Sequence, residues 1–227
     1  MQKLQTVEVD PGPDSHGAVI WLHGLGADGH DFEPIVPELD LGEAVKLRYV
    51  FPHAPVRPVT INGGISMRAW YDILTLDRGG PQDEDGIRAS GSMLEGLIRR
   101  EHERGIPFEK IVVAGFSQGG AIALHTATRF QQALGGLMAL STYIPLRDSL
   151  DEEVFANAQS QSRDLKIFMA HGSFDPVLPI GLGESTRSLL QENGFTIEWH
   201  DYPMAHAVCA EEISHIRDWL GTIYLPG

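Results

Sequence analysis

The chain has 227 residues, 42% of them hydrophobic and 21% charged, with a formal net charge of −14 and one cysteine, Cys209. That size and apolar content suit one α/β domain over residues 1–227 with a sizeable core. The acidic balance disfavours nucleic acid, whose phosphates are neutralised by Lys and Arg; a single cysteine excludes an intramolecular disulfide, and no apolar run reaches the roughly 18 residues that span a bilayer.

The first residues, Met1-Gln2-Lys3-Leu4, lack the apolar core of a signal peptide. A cytoplasmic protein without membrane insertion is expected. Lys3–Val9 alternates and predicts an antiparallel edge strand. Ala18–Leu22, Val45–Phe51, Lys110–Ala114, Leu134–Leu140 and Leu165–Ala170 are continuous apolar runs, and continuity rather than alternation predicts parallel strands covered on both faces. Thr196–Tyr202 adds a strand with aromatic and β-branched content. Helical patterns fall between the strands. One carries Ile87, Leu94, Leu97 and Ile98 and ends near Gly105; another covers Leu182–Asn193 before Gly194; a third has Val208, Ile213, Ile216 and Leu220 on one stripe. The alternation predicts a mostly parallel central sheet flanked by helices.

One stretch fits no regular element. Residues 52–86 are rich in Pro and Gly, yet carry Ile61, Ile65, Met67, Trp70, Tyr71, Ile73, Leu74 and Leu76. A long apolar loop in a compact domain suggests a cap over a pocket. A satellite of the core is the plainer alternative.

The chemistry concentrates at GFSQGG, residues 115–120, between a strand and a helical pattern. Gly-x-Ser-x-Gly is the nucleophile-elbow pattern, in which a sharp turn presents the serine hydroxyl above the sheet. Side chains two residues before or after Ser117 would crowd such a turn. A phosphate cradle is the rival for a glycine-rich turn at a helix start, but the P-loop lysine and a G-x-G-x-x-G after the first strand are both missing.

A serine nucleophile needs a histidine base and a carboxylate that orients it, here in the order Ser, acid, His. The later acids include Asp148, Asp151, Asp164, Asp175 and Asp201. Asp175 follows a strand in a turn, at the sheet end where ligand groups collect. Of His125, His171, His200, His206 and His215, only His206 lies between the last strand and the last helix. Oxyanion donors are expected from the Gln118 backbone N–H and from Leu25 in the glycine-rich exit of the first buried strand. His23 is expected to hold that loop by hydrogen bonds. No cluster has metal-ligand spacing, so no metal is expected. Cys209 stands outside any elbow and reads as a small apolar residue.

WLHGLGADGHDF at 21–32, FPHAP at 51–55, ISMRAWYDI at 65–73, AGFSQGG at 114–120, HGSFDPVLP at 171–179 and PMAHAVCAEEI at 203–213 together resemble the carboxylesterase and acyl-protein thioesterase family of α/β-hydrolases. The resemblance implies that fold and a serine esterase without cofactor. It implies Ser117 as nucleophile, Asp175 as acid, His206 as base, and Leu25 and Gln118 as oxyanion donors. Trp70 with Ile65, Met67, Leu76 and Val177 would border the acyl chain. Its substrates would be small esters or acyl thioesters, and homodimers occur in the family. The reading placed first is a carboxylesterase for short- to medium-chain esters. An acyl-protein thioesterase or lysophospholipase comes second, and a non-catalytic binding module last. The family's Gly-His-Ser around the base is Ala205-His206-Ala207 here.

Overall fold

In the computed structural model, residues 4–75, 77, 79–150 and 165–225 are described below. Seven strands form one sheet: β1 (Thr6–Val9), β2 (Gly17–Leu22), β3 (Leu47–Pro52), β6 (Ile111–Phe116), β7 (Gly136–Leu140), β8 (Ile167–Gly172) and β9 (Ile197–Tyr202). Their spatial order is β1-β3-β2-β6-β7-β8-β9. Only β1 runs antiparallel, on β3 at the edge; all other pairs are parallel. The alternation at the first strand and the continuity of the five inner strands therefore correspond to the environments predicted for them, while β9, at the other edge, is only partly buried.

Continuity follows from burial on both sides. Ala18, Ile20 and Leu22 of β2 enter one core with Val113, Ile98 and Leu124, whereas Val19 and Trp21 enter the other with Val112, Phe168 and Trp219. Helices α1 (Glu84–Glu103), α2 (Gln118–Ala127), α3 (Ile180–Glu192) and α4 (Ala210–Tyr224) connect or follow the strands. All ten residues of α2 are buried. Small residues permit that closeness: a Cβ on Gly91 of α1 would stand 3.2 Å from the His125 ring of α2. Among the described residues no helix is long and apolar enough to cross a membrane.

The segment 52–86 is more regular than its sequence suggests. It contains a two-stranded antiparallel hairpin, β4 (Val56–Val59) and β5 (Ile65–Arg68), whose link includes Gly63 and Gly64 at φ 66° and 79°. Pro58 within β4 hides the strand, since proline cannot donate to a ladder and is confined to edges and bulges. The hairpin is a small second sheet, where an edge is always available. Asp83 then caps α1 by accepting the Gly86 N–H at 3.0 Å and also takes the Asp72 N–H at 2.8 Å, joining the segment's end to the helix.

Candidate active site

The turn from β6 to α2 holds Ser117 at φ 54° and ψ −120°, a left-handed conformation that costs a non-glycine residue of order 1–3 kcal/mol. Its backbone is fixed from both sides. Ser117 N–H donates to Leu140 O at 2.9 Å, and its carbonyl accepts the Thr142 hydroxyl at 2.7 Å. The flanking glycines are there for space. A Cβ on Gly115 would lie 2.4 Å from the Gly119 backbone, and one on Gly119 would lie 2.5 Å from the Leu22 and His23 carbonyls.

Asp175 and His206 come from the turns after β8 and β9. His206 Nε2 is 2.9 Å from Ser117 Oγ, and His206 Nδ1 is 2.6 Å from Asp175 Oδ2. A carboxylate can only accept, so the proton sits on Nδ1 and the Nε2 lone pair faces the serine hydroxyl. The other oxygen, Asp175 Oδ1, accepts the N–H groups of Val177 and Leu178, both at 2.8 Å. The carboxylate is thus buried and locked. Gly172 lets the two turns meet: a Cβ there would stand 2.3 Å from Ala205 O. The Phe116 ring packs against the His206 ring at 4.7 Å between centroids, in an aromatic series that runs back through Phe32 to Trp21.

The remaining sequence candidates lie elsewhere. His125 is buried between α1 and α2. His200 faces Glu198, and His215 meets the Tyr202 hydroxyl. His171 Nε2 donates to Leu178 O at 2.7 Å, which braces the Asp175 turn, and burial holds its pKa below the ordinary imidazole value. Asp148 lies in a short turn over Arg147–Ser149, Asp201 accepts from Ser173, and Asp151 and Asp164 lie outside the described residues.

The exit of β2 is tightly tied. Gly26 N–H donates to Arg68 O at 2.9 Å and Ala27 N–H to Gly24 O at 3.3 Å, fixing the turn around Leu25. His23 Nδ1 donates to Gly24 O at 2.7 Å, and Nε2 accepts the Ala54 N–H at 3.0 Å. That pairing needs a neutral ring, and burial lowers its pKa to about 4. The Gln118 N–H belongs to the first turn of α2, where amides have no partner within the helix. Its side chain has a role the sequence did not suggest. Nε2 donates to Tyr71 O at 2.8 Å and Oε1 accepts the Trp70 N–H at 2.9 Å, clamping the 52–86 segment to the start of α2.

A cavity of about 300 Å³ opens over Ser117, Gln118, His206 and Leu25. Its apolar side is built by Ile61, Tyr71, Ile73, Tyr143, Val177 and Leu178. Of the residues expected at an acyl chain, Val177 is on this wall. Trp70 is not: it is 1% exposed, its indole N–H donates to His23 O at 2.9 Å, and its carbonyl accepts from Ser90. It supports the wall from behind while its neighbour Tyr71 forms it. Ile65 is 65% exposed at the start of β5, and Met67 sets its sulfur beside Gly26; neither lines the cavity. Leu76 lies outside the described residues. Among the described residues no three His, Cys, Asp or Glu side chains group so as to hold a metal ion.

The model of the phospholipase/carboxylesterase family matches residues 5–224. The chain belongs to this family. It is a hydrolase of the α/β-hydrolase fold, and its relatives are similar along their length. It is 38% identical to "Acyl-protein thioesterase 1" of Neurospora crassa, over 89% of this chain and 84% of the relative. It is 37% identical to the protein of the same name from Yarrowia lipolytica, over 92% and 93%. Among solved structures, "Zea mays acyl-protein thioesterase 2" superposes with a TM-score of 0.86 at 27% identity, covering 97% of this chain and 99% of that one. Membership in a phospholipase/carboxylesterase family leaves no ground for a non-catalytic binding module.

Proposed function

We propose that this family member removes acyl groups from thioesters, and from oxygen esters, through a covalent intermediate on Ser117. The observation that carries the reading is the continuous pair of hydrogen bonds from Asp175 through His206 to the Ser117 hydroxyl. In the first step Ser117 Oγ attacks the acyl carbonyl as His206 Nε2 takes its proton. The buried Asp175 keeps the ring in the required tautomer and stabilises the imidazolium. The Gln118 and Leu25 N–H groups receive the oxyanion; one such donor contributes roughly 3–4 kcal/mol in comparable sites. His206 returns the proton to the departing thiol or alcohol. Water, activated by the same ring, then releases the acid.

The relatives' names favour the thioester over the oxygen ester that the sequence reading placed first. The carbonyl chemistry is common to both. The apolar wall suits an acyl chain, and about 300 Å³ stands at the small end of ligand sites, which favours short and medium chains.

The test compares S-acyl thioesters with oxygen esters of the same acyl group, for wild type and Ser117→Ala. Both activities should vanish in the variant, with kcat/KM higher for the thioester in wild type. Turnover that survives Ser117→Ala overturns the mechanism; a preference for the oxygen ester restores the carboxylesterase order.

A further inference from the structure

Ile61, Tyr71, Ile73 and Tyr143 give the cavity an apolar and aromatic lining, and the turn after β2 adds Leu25, Ala27 and Asp31. Among the described residues of the lining, Asp31 is the one carboxylate and none is Lys or Arg.

Two neighbouring carboxylates in this turn are treated differently. Asp28 accepts the His30 N–H at 2.8 Å and has His53, His30 and Arg68 around it, which hold its pKa below the ordinary carboxylate value. Asp31 has no such compensation. Burial and the like charge of Asp28 both raise its pKa. Its backbone is nevertheless fixed. Its N–H donates to Asp28 O at 3.1 Å, and the next residue, Phe32, is buried and stacked on Trp21 at 5.0 Å. An uncompensated, exposed carboxylate on a fixed turn, in a cavity lining with no other carboxylate, Lys or Arg among the described residues, favours a cation brought in by the ligand. The net charge of −14 adds long-range attraction for the same species.

We infer that Asp31 is a recognition residue for a cationic group, an alkylammonium, carried on the alcohol or thiol side of the substrate. The assignment rests on the acyl-hydrolase reading above: an acyl chain takes the apolar lining, which leaves the one carboxylate to the alcohol or thiol part of the substrate. An alkylammonium in that place is either a quaternary headgroup or a lysine side chain beside an acylated cysteine.

The experiment measures kcat/KM for butyrylcholine against 3,3-dimethylbutyl butyrate, which replaces the charged nitrogen by carbon. A parallel arm compares S-butyryl-cysteine peptides with lysine or norleucine beside the cysteine. A partly exposed charge pair is worth about a two- to fivefold preference. Wild type should show it for the charged member of at least one pair; the pair that shows it identifies the source. The ratio should fall toward one in Asp31→Asn. Because each ratio is taken within one protein, a general loss of fold or rate cancels. Should Asp31→Asn fail to fold, salt gives the second readout, since added NaCl should shrink the wild-type ratio. Equal rates within both pairs, or a preference that survives Asp31→Asn or high salt, overturn the inference alone. Failure of wild type to cleave any of the four substrates overturns the acyl-hydrolase reading with it.

Discussion

The hydroxyls of Tyr71 and Tyr143 lie 3.0 Å apart, so two residues distant in sequence meet in the lining of the cavity over Ser117. Beyond them is a smaller void of about 20 Å³, which shares Tyr71, Ile73 and Tyr143 with the main cavity of about 300 Å³. The tyrosine pair is a partition between two spaces. Tyr143→Ala should join them and move the acyl-chain optimum to longer p-nitrophenyl esters, while Tyr143→Phe, which keeps the ring, moves it little. An optimum unchanged in Tyr143→Ala removes this pair as the determinant of length.

Ser117 combines the proposed nucleophilic hydroxyl with a strained backbone at φ 54°. Ser117→Gly should abolish hydrolysis and yet raise stability by up to about 1 kcal/mol, the relief of a left-handed Cβ less the entropy glycine adds to the unfolded chain. Ser117→Ala keeps the Cβ and should abolish hydrolysis without that gain. Urea unfolding of the two variants side by side makes the comparison; equal midpoints would mean the turn carries no strain.

Gly172 tests the seating of His206, the proposed base. A Cβ there meets Ala205 O at 2.3 Å, with backbone on both sides of the clash, so the His206 turn must shift. Gly172→Ala should therefore lower kcat by at least about tenfold, since small misplacements of a catalytic group are costly, while KM for short esters changes little. A KM rise with kcat preserved would place the effect on binding instead.

Glu212, in the first turn of α4, is fully buried. Burial pushes its carboxyl up to about 8, against a smaller opposing pull from the Cys209 N–H. Between the ordinary carboxylate pKa and 8 the native state holds a proton that the unfolded chain has released. Stability is therefore lost as pH rises through that window, on the order of 5 kcal/mol at the upper limit. Glu212→Gln should match wild type near pH 4.5 and exceed it clearly near pH 8.5 in urea unfolding. His23 works in the opposite sense: its pKa of about 4 costs stability as pH falls from 6.5 toward 4.

The parts of the site legible in the sequence are those whose local rule is strict. Gly115 and Gly119 are demanded by backbone contacts, so the elbow shows in five residues. Asp175 and His206 follow from chain order and from strands read by their apolar continuity. The wall of the cavity was less legible. Trp70 and Tyr71 are adjacent aromatics in a segment without a usable period, so nothing local tells which one faces the cavity and which braces His23. Tyr143 and Ile61 reach the site only through the fold. Asp31 stood in a quoted motif, but its significance depends on Asp28 having neighbours that Asp31 lacks.

Ser117, Asp175 and His206 each follow a different strand, and the strand before His206 is the last to join the sheet in chain order. Immediately after it comes α4, whose Tyr224 hydroxyl donates to Ala18 O and Lys110 O, reaching back to the centre of the sheet. A partly assembled sheet can thus hold Ser117 and Asp175 without His206 between them. Parallel strands of high sequence separation form late because their loops must close first. The proposed acyl hydrolysis is consequently a clock for the end of folding: in refolding from urea it should recover with the slowest phase, after most of the helical signal has returned.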